Sequence, residues 1–179
     1  MHKFFISLFI VLYSHSFVQA QADKDTAFSS ILVAADSCMF GVKEPKGYHG
    51  DVEQAQAYYA NIIFYKSAED VKNGGALIQV YAYSKTDEQT DKDLASDVKR
   101  YETKYPKLKK QDLSSAHPTY KTYAKLVYVE GDFYQYTVYL NPGPKYKKGL
   151  SVSMNISKRK ANGEELKAFQ TIISSLMMM

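Results

Sequence analysis

The chain has 179 residues, a formal net charge of +4 and one cysteine. The positive excess is too small to indicate a nucleic-acid partner. A single cysteine excludes a framework of internal disulfides, so the fold has to be stabilised by buried apolar surface. The chain contains sixteen tyrosines and no tryptophan, which indicates strands whose faces are covered by amphipathic rings.

The N-terminal segment has the features of a secretory signal peptide. A basic residue precedes the apolar run 4–13, and small residues follow it, so we expect cleavage after Ala20 or Ala22. The run is shorter than the roughly 20 apolar residues of a transmembrane helix, and no transmembrane anchor is expected. We predict that residues 1–22 are the signal peptide and that residues 23–179 form a single secreted or periplasmic domain.

The first elements of the mature chain are a predicted helix and a predicted strand. The helix rests on an apolar stripe with helical spacing, made of Ala27, Phe28, Ile31, Leu32 and Ala35. Phe40 and Val42 then occupy alternate positions of a strand and are expected to enter the core, and the turn at residues 45–47 ends that strand. Residues 51–59 match neither pattern.

The middle of the chain predicts two strands and a helix. Residues 61–66 and 76–84 have strand composition and are joined through a turn at residues 73–75. The helix presents one apolar face, made of Leu94, Val98, Tyr101 and Tyr105. Thr90 and Asp93 have the spacing of a capping box at its start, and Pro106 lies just past its end.

The C-terminal third predicts a hairpin, a strand and a closing helix. Residues 121–129 and 133–140 form the hairpin around the turn 130–132. The next strand alternates apolar and polar residues, with Leu150, Val152, Met154 and Ile156 on the buried face. Asn162 is the expected N-cap of a helix whose apolar stripe is Leu166, Phe169, Ile172, Ile173 and Leu176. That helix has to pack on the sheet.

Hairpin-linked strands with helices at intervals indicate an α+β fold, with a mostly antiparallel sheet of about six strands covered by helices. The pattern Phe40-x-Val42-x-x-Pro45-x-Gly47-Tyr48 resembles the opening motif of the PsbP-like family. The final helix, with Glu165-Leu166-x-x-Phe169-x-x-Ile172-x-x-Ser175, is similar to the closing helix of that family. The resemblance covers most of residues 38–176. It implies an α/β/α sandwich like that of the DcrB-like bacterial envelope proteins, and it implies no common ligand.

Few side chains are placed for chemistry. His49 and Asp51 could supply two metal ligands, but no third is identifiable, and both residues also fit a solvated loop. The sequence has no G-x-S-x-G, H-E-x-x-H or phosphate-loop motif. Neither His49 nor His117 has the context of a base for Cys38, so we assign no catalytic residue, no metal ligand and no cofactor. Cys38 is expected to be a small buried hydrophobe, or an unpaired thiol able to form an intermolecular disulfide.

Three basic clusters fall in predicted loops. They are Lys104, Lys107, Lys109 and Lys110; Lys145, Lys147 and Lys148 around Tyr146; and Lys158, Arg159 and Lys160. If these loops meet at one end of the sheet, they form a cationic patch suited to an anionic membrane surface, a polysaccharide or an acidic protein. If they do not meet, they are ordinary solvated loops. Lys145, Tyr146, Lys147 and Lys148 are the surface-binding candidates.

The sequence thus predicts a non-enzymatic secreted or periplasmic binding or accessory protein. It would present a sheet face or a loop rim to an envelope or extracellular protein, and this expectation rests on fold analogy and on the lack of catalytic motifs. The alternative is a hydrolase or metal-dependent enzyme that uses His49, Asp51 or His117. No nucleic-acid partner is expected.

Overall fold

The computed structural model describes residues 30–85 and 90–179. The predicted signal peptide, with Ala20 and Ala22, lies outside the described residues. The strands are β1 (Ser30–Ala35), β2 (Cys38–Lys43), β3 (His49–Asp51), β4 (Ile62–Tyr65), β5 (Leu77–Ser84), β6 (Lys109–Asp112), β7 (Lys121–Val129), β8 (Phe133–Asn141), β9 (Lys148–Ser157) and β10 (Met177–Met178). The helices are α1 (Ala68–Lys72), α2 (Thr90–Lys104) and α3 (Gly163–Ser175), and one 3₁₀ turn spans Ala55–Tyr58.

Seven strands form the main sheet in the order β3-β4-β5-β9-β8-β7-β6, and each neighbouring pair is antiparallel. The chain builds β3 to β5, crosses to the far edge through α2, and returns through β6, β7 and β8 to β9, which pairs with β5. The predicted α+β class with mostly antiparallel strands is confirmed. The main sheet has seven strands rather than about six. The predicted strand at Phe40 and Val42 belongs to a second sheet, and the main sheet instead gains β3 and residues 109–112, predicted as a basic loop, which pair with β7 as an edge strand.

One face of the main sheet carries the principal core and is called the core face here. The four apolar side chains of β9 predicted to be buried are at most 2% exposed. Phe169, Ile172 and Ile173 of α3 pack on the same cluster, together with Leu176. The opposite face packs against α2, where Leu94 and Val98 are buried.

The start of α3 is fixed by a complete capping box. The Asn162 side chain accepts from the Glu165 backbone N–H at 2.9 Å, and the Glu165 carboxylate accepts from the Asn162 N–H at 2.8 Å, which confirms Asn162 as the N-cap. Arg159 donates to both oxygens of Glu165, at 2.8 and 2.7 Å. Because Glu165 takes the buried position in this first turn, Leu166 points outward and is 43% exposed. The prediction that Leu166 belongs to the buried stripe is therefore wrong.

The second sheet has three strands in the order β1-β2-β10. Phe40 and Val42 enter the core as predicted, and Tyr48 N–H donates to Pro45 O at 3.0 Å in the predicted turn. The helix predicted over residues 27–35 is wrong for the described residues 30–35, which form β1. Ala35 pairs directly with Cys38, so β1 and β2 form a hairpin, and strand pairing overrides the local helical spacing.

The remaining connections follow the sequence closely. The β7–β8 hairpin turns at Gly131, which has a φ of +78°, as its tight turn requires. Helix α2 ends before Pro106 as predicted. The residues directly before Thr90 are not described, and the capping box with Asp93 stays a prediction. The connection from β4 to β5 contains α1 before the turn at residues 73–75. No helix among the described residues has the length and apolar character that spanning a bilayer requires.

Candidate functional site

A groove lies between α2 and the face of the main sheet opposite the core face. Helix α2 packs mainly near β7 and β8, and it leaves the positions on β5, β9 and β8 partly uncovered. The resulting cavity has a volume of about 730 Å³. We call it the tyrosine groove, lined by Tyr59, Gln79, Tyr81, Tyr83, Asp97, Arg100, Tyr101, Lys104, Gln135, Tyr139, Ser151 and Ser153, with Asp93 and Ser96 at its side.

Strand register arranges the groove floor in two rows of uncharged polar side chains. Tyr81 is paired with Ser151, which is paired in turn with Tyr139 on β8. In the second row, Gln79 is paired with Ser153, which is two residues from Ser151 on β9 and therefore lies on the same face. These positions alternate with the buried apolar positions of the same strands, since successive side chains point to opposite faces. The floor therefore offers aromatic rings, hydroxyls and an amide, and it bears no charge.

The amide side chains on the floor are held by hydrogen bonds. Asn155 donates through Nδ2 to the Gln79 side-chain oxygen at 2.6 Å, and Gln79 donates through Nε2 to the Tyr58 carbonyl at 2.8 Å. These bonds link β9 to β5 and to the loop that carries Tyr59. A floor with fixed amide orientations is arranged before any ligand arrives, which lowers the entropic cost of binding.

The wall of the groove on α2 carries paired charges. Asp97 accepts a hydrogen bond from the Tyr139 hydroxyl and forms an ion pair with Arg100, three residues along the helix. Most of the Arg100 side chain is exposed, so its guanidinium keeps donors that face solvent. The wall thus anchors α2 to the floor and carries two cationic side chains, Arg100 and Lys104.

Two floor tyrosines are packed against each other at the closed end of the groove. The rings of Tyr83 and Tyr139 lie 4.9 Å apart at an angle of 57°. Burial raises the pKa of each hydroxyl to about 12, so both are neutral hydrogen-bonding groups at physiological pH. The Tyr83 ring lies over Gly149, because a Cβ at that position would be 2.6 Å from its Cζ and Oη atoms. Gly149 therefore sets the depth of the groove at this end.

Tyr59 and Tyr81 are the exposed tyrosines of the groove, Tyr59 in the loop after the 3₁₀ turn and Tyr81 on the floor. Tyr59 is 91% exposed and Tyr81 is 46% exposed. Tyr59 also has a left-handed backbone conformation, with a φ of 54°, which is unfavourable for a bulky side chain. Neither burial nor backbone preference explains this tyrosine, whereas an aromatic side chain projecting beside a groove is typical of a contact residue.

The lysine cluster predicted from sequence is less open than expected. Tyr146 is half-buried against the core and donates to the Met178 carbonyl at 3.3 Å. Lys145 lies over its ring, with Nζ 5.4 Å from the centroid, and Lys148 donates to Ser84 at 3.0 Å. Lys147 is exposed. Tyr146 thus ties the C-terminal strand to the core, and the cationic surface consists of the lysines alone.

The histidines and Asp51 occupy separate places. His49 and Asp51 lie on β3, at one edge of the main sheet, and Asp51 accepts from the Tyr65 hydroxyl and the Gln54 N–H. These hydrogen bonds hold the pKa of Asp51 below its ordinary value. His117 precedes β7, and four strands separate β7 from β3 in the sheet order. Among residues 30–85 and 90–179, no three His, Cys, Asp or Glu side chains are grouped as a metal site.

Both ring nitrogens of His117 take part in structural contacts. Nε2 lies 2.9 Å from the Leu176 carbonyl, and Nδ1 accepts from the Thr119 and Tyr120 backbone N–H groups at 3.1 and 2.9 Å. Burial lowers the pKa of His117, so the neutral tautomer with a proton on Nε2 fits all three contacts. His117 therefore ties the segment before β7 to the end of α3.

Cys38 lies at the start of β2, opposite Ala35, and is partly packed against the core. Burial raises the pKa of its thiol, which favours the protonated, weakly nucleophilic form. Cys38 is thus only partly buried, rather than fully buried as one of the two predictions for it had it. This placement does not test an intermolecular disulfide.

No protein-family model matches the chain, and no curated protein matches it. The resemblance to the PsbP-like family therefore stays a prediction. The sequence patterns did not single out the residues of the tyrosine groove, although they predicted strand faces covered with tyrosine and the use of a sheet face. The available signal was the alternation along β5, where Gln79, Tyr81 and Tyr83 lie between the apolar residues Ile78, Val80 and Ala82.

Proposed function

We propose that the chain is a non-enzymatic binding or accessory protein of the periplasm or the extracellular space, and that the tyrosine groove binds a segment of an envelope or extracellular protein. The observation that carries this proposal is the pair of exposed tyrosines, Tyr59 and Tyr81, in a groove whose floor is uncharged and offers hydroxyl and amide groups. Tyrosine offers a large, rigid, amphipathic contact, and nearby serines offer adaptable hydrogen bonds; protein-binding surfaces are rich in this combination.

The charges beside the groove support the same proposal. Arginine and tyrosine are over-represented among the side chains that contribute most to protein interfaces, and Arg100 opens onto the same cavity as Tyr81. The proposed fold of an α/β/α sandwich of the PsbP-like kind is supported by α2 and α3, which pack on opposite faces of the main sheet. The exposed lysines near Lys147 would add a weak attraction to an anionic surface.

A hydrolytic or metal-dependent role for His49, Asp51 or His117 receives no comparable support. The His117 ring makes three structural contacts, and the Asp51 carboxylate caps the following turn. An enzyme using these side chains would have to break contacts that order the segments around them.

The proposal is tested by site-specific crosslinking in the cells that produce the protein. A photoreactive amino acid replaces Tyr81 in one variant and Leu166, exposed on α3, in a control variant. We expect a protein adduct from position 81 and none of the same mass from position 166. The partner is then purified and its affinity measured. The double variant Tyr59→Ser, Tyr81→Ser should bind at least about tenfold more weakly, since loss of a tyrosine that contributes strongly to an interface costs about 2 kcal/mol or more. Unchanged affinity, or adducts from position 166 alone, would refute the assignment of the groove.

A further inference from the structure

The three-stranded sheet carries three exposed methionines. Met39 on β2 is 45% exposed, Met177 on β10 is 61% exposed, and Met179, directly after β10, is 58% exposed. The other two methionines of the described chain, Met154 and Met178, are at most 4% exposed and belong to the core. The exposed thioether groups of the described chain are thus confined to β2 and the segment that pairs with it.

Strand register brings these three side chains to one face of the sheet. Met178 is paired with Phe40, and both side chains enter the core. The Met179 N–H donates to the Met39 carbonyl at 3.0 Å, so the antiparallel pairing continues by one residue. Because successive side chains of a strand point to opposite faces, Met39, Met177 and Met179 all point to the outer face, away from the core. Met39 and Met179 are direct cross-strand neighbours there, and the side chains of such pairs interact.

Gly41 leaves space into which the three side chains can converge. Met177 is paired with Gly41, so no side chain of β2 stands opposite it. The Met179 Cε atom would lie 3.4 Å from a Cβ on Gly41, which shows that this methionine leans over the glycine, toward the row that holds Met177. Leu32 is paired with Gly41 from the other side, with its Cδ2 atom 3.8 Å from the same position. Methionine is unbranched and has three rotatable bonds, so its sulfur can reach this space by rotation alone.

The backbone that carries two of the methionines is held by tyrosine side chains. The Met178 N–H donates to the Tyr120 hydroxyl oxygen at 2.9 Å, and the Tyr146 hydroxyl donates to the Met178 carbonyl at 3.3 Å. These hydrogen bonds fix the residue between Met177 and Met179. Groups that are held in place before a ligand arrives lose less entropy when they bind it.

The three side chains offer neutral, soft sulfur atoms as donors. Soft thioether ligands select Cu(I), whereas Zn²⁺ is bound by thiolate, imidazole and carboxylate groups, and Mg²⁺ and Ca²⁺ are bound by oxygen atoms. A thioether carries no proton, so it does not have to lose one before it binds a metal ion. The chemistry of this donor set therefore fits one class of metal ion.

We propose that Met39, Met177 and Met179 bind one Cu(I) ion through their thioether sulfurs, above Gly41. The ion stays in the Cu(I) state, so binding transfers no electron and releases no proton. The site shares no residue with the tyrosine groove and is independent of the function proposed for that groove.

The test is an anaerobic titration of the full mature protein with Cu(I), followed by NMR of ¹³C-labelled methionine methyl groups. Cys38 is replaced by alanine throughout, because a thiolate also binds Cu(I). We expect Cu(I) at equimolar concentration to shift the methyl signals of the three exposed methionines and to leave those of Met154 and Met178 in place. Zn²⁺ at the same concentration should shift none of the five.

Competition with a Cu(I) chelator of known affinity gives the dissociation constant. Met39→Leu and Met177→Leu should each raise it at least tenfold, because leucine keeps the apolar volume and removes the sulfur. Met154→Leu, the same change at a core methionine, should leave it unchanged, and circular dichroism shows that each variant is folded. The dissociation constant should be equal at about pH 5 and about pH 7, since none of the three ligands titrates.

A protein that binds no Cu(I) at micromolar concentrations would overturn the inference. A dissociation constant that Met39→Leu and Met177→Leu leave unchanged would do the same, because the metal would then lie elsewhere. Binding that weakens as the pH falls would also contradict it, since a proton-bearing ligand such as histidine would then hold the ion.

Discussion

Replacing Gly149 with alanine should displace the Tyr83 ring and so change the shape of the tyrosine groove. A Cβ on Gly149 would lie 2.6 Å from the Cζ and Oη atoms of Tyr83, well inside van der Waals contact. The ring cannot easily retreat, because it packs on Tyr139 at a centroid distance of 4.9 Å. Gly149 does not have a positive φ, so the added methyl group causes no backbone strain and acts only through this contact. Overpacking of this kind typically costs about 1–3 kcal/mol.

The assay is urea denaturation of four proteins: wild type, Gly149→Ala, Tyr83→Ala and the double variant. We expect Gly149→Ala to lower the free energy of unfolding by about 1–3 kcal/mol in the wild-type background and by less than about 0.5 kcal/mol once Tyr83 is alanine. If the free energy of unfolding falls with urea concentration at the same slope in all four proteins, their denatured states are comparable. Gly163→Ala is the matched control, because a Cβ on Gly163 meets no atom within 4 Å, and its effect should stay within about 0.5 kcal/mol.

An equal loss of stability in both backgrounds would refute this reasoning, because the Tyr83 ring would then not be the group that the methyl displaces. An unchanged wild-type stability would show that Tyr83 can swing out freely, and the groove would not have a fixed closed end. The same variants also bear on the proposed function. A displaced Tyr83 ring changes the depth of the groove, so Gly149→Ala should weaken partner binding, whereas Gly163→Ala should leave it unchanged.

Three further outcomes follow from the charged and buried groups. Arg159→Met leaves the buried Glu165 carboxylate without its cation, and should lower the free energy of unfolding at neutral pH by about 1–3 kcal/mol in urea denaturation. Burial acts to raise the pKa of Glu165, but hydrogen bonds from Arg159 and Asn162 hold that pKa below its ordinary value. The free energy of unfolding of the wild type should therefore fall as the pH falls through this lowered pKa. The fall should be smaller in Arg159→Met, which lacks one of these hydrogen-bond donors. In an ultraviolet titration of tyrosinate, the buried Tyr48 and Tyr139 should ionise near pH 12. Because their folded pKa values are raised, stability should decline above about pH 10, where unfolded tyrosines lose their protons first.

The main sheet could be predicted from sequence because its signals are local and agree with one another. Val152 and Met154 alternate with serines on β9, and Gly131 marks the turn of the β7–β8 hairpin; each fixes a face or a register without knowledge of the rest of the chain. Asn162 and Glu165 fix the start of α3 in the same way. Strand order within the sheet was not accessible, since pairing of β5 with β9 joins residues about seventy positions apart.

The groove could be predicted only in outline for a related reason. Tyr81 and Tyr139 lie on either side of Ser151 because both are paired with it, and no spacing along the chain reveals that relation. Sequence could indicate that these strands carry tyrosine on their less apolar face. It could not indicate that α2 would cover that face only in part, since Asp97 of the helix contacts it through a hydrogen bond from Tyr139, a residue 42 positions away in the chain.

The wrong prediction for β1 has its physical origin in the lack of alternation along that strand. A strand with one face in water shows alternating apolar and polar residues, and a helix on the surface shows an apolar stripe with a polar opposite side. Residues 31–35 are all apolar and therefore show neither pattern clearly. An unbroken apolar run fits both periods, so Ile31, Leu32 and Ala35 could be taken as a helical stripe. Runs without alternation are typical of strands that are covered on both faces. Val33 on the inner face is covered by the core of its own chain, whereas Leu32 on the outer face is left exposed by the described chain.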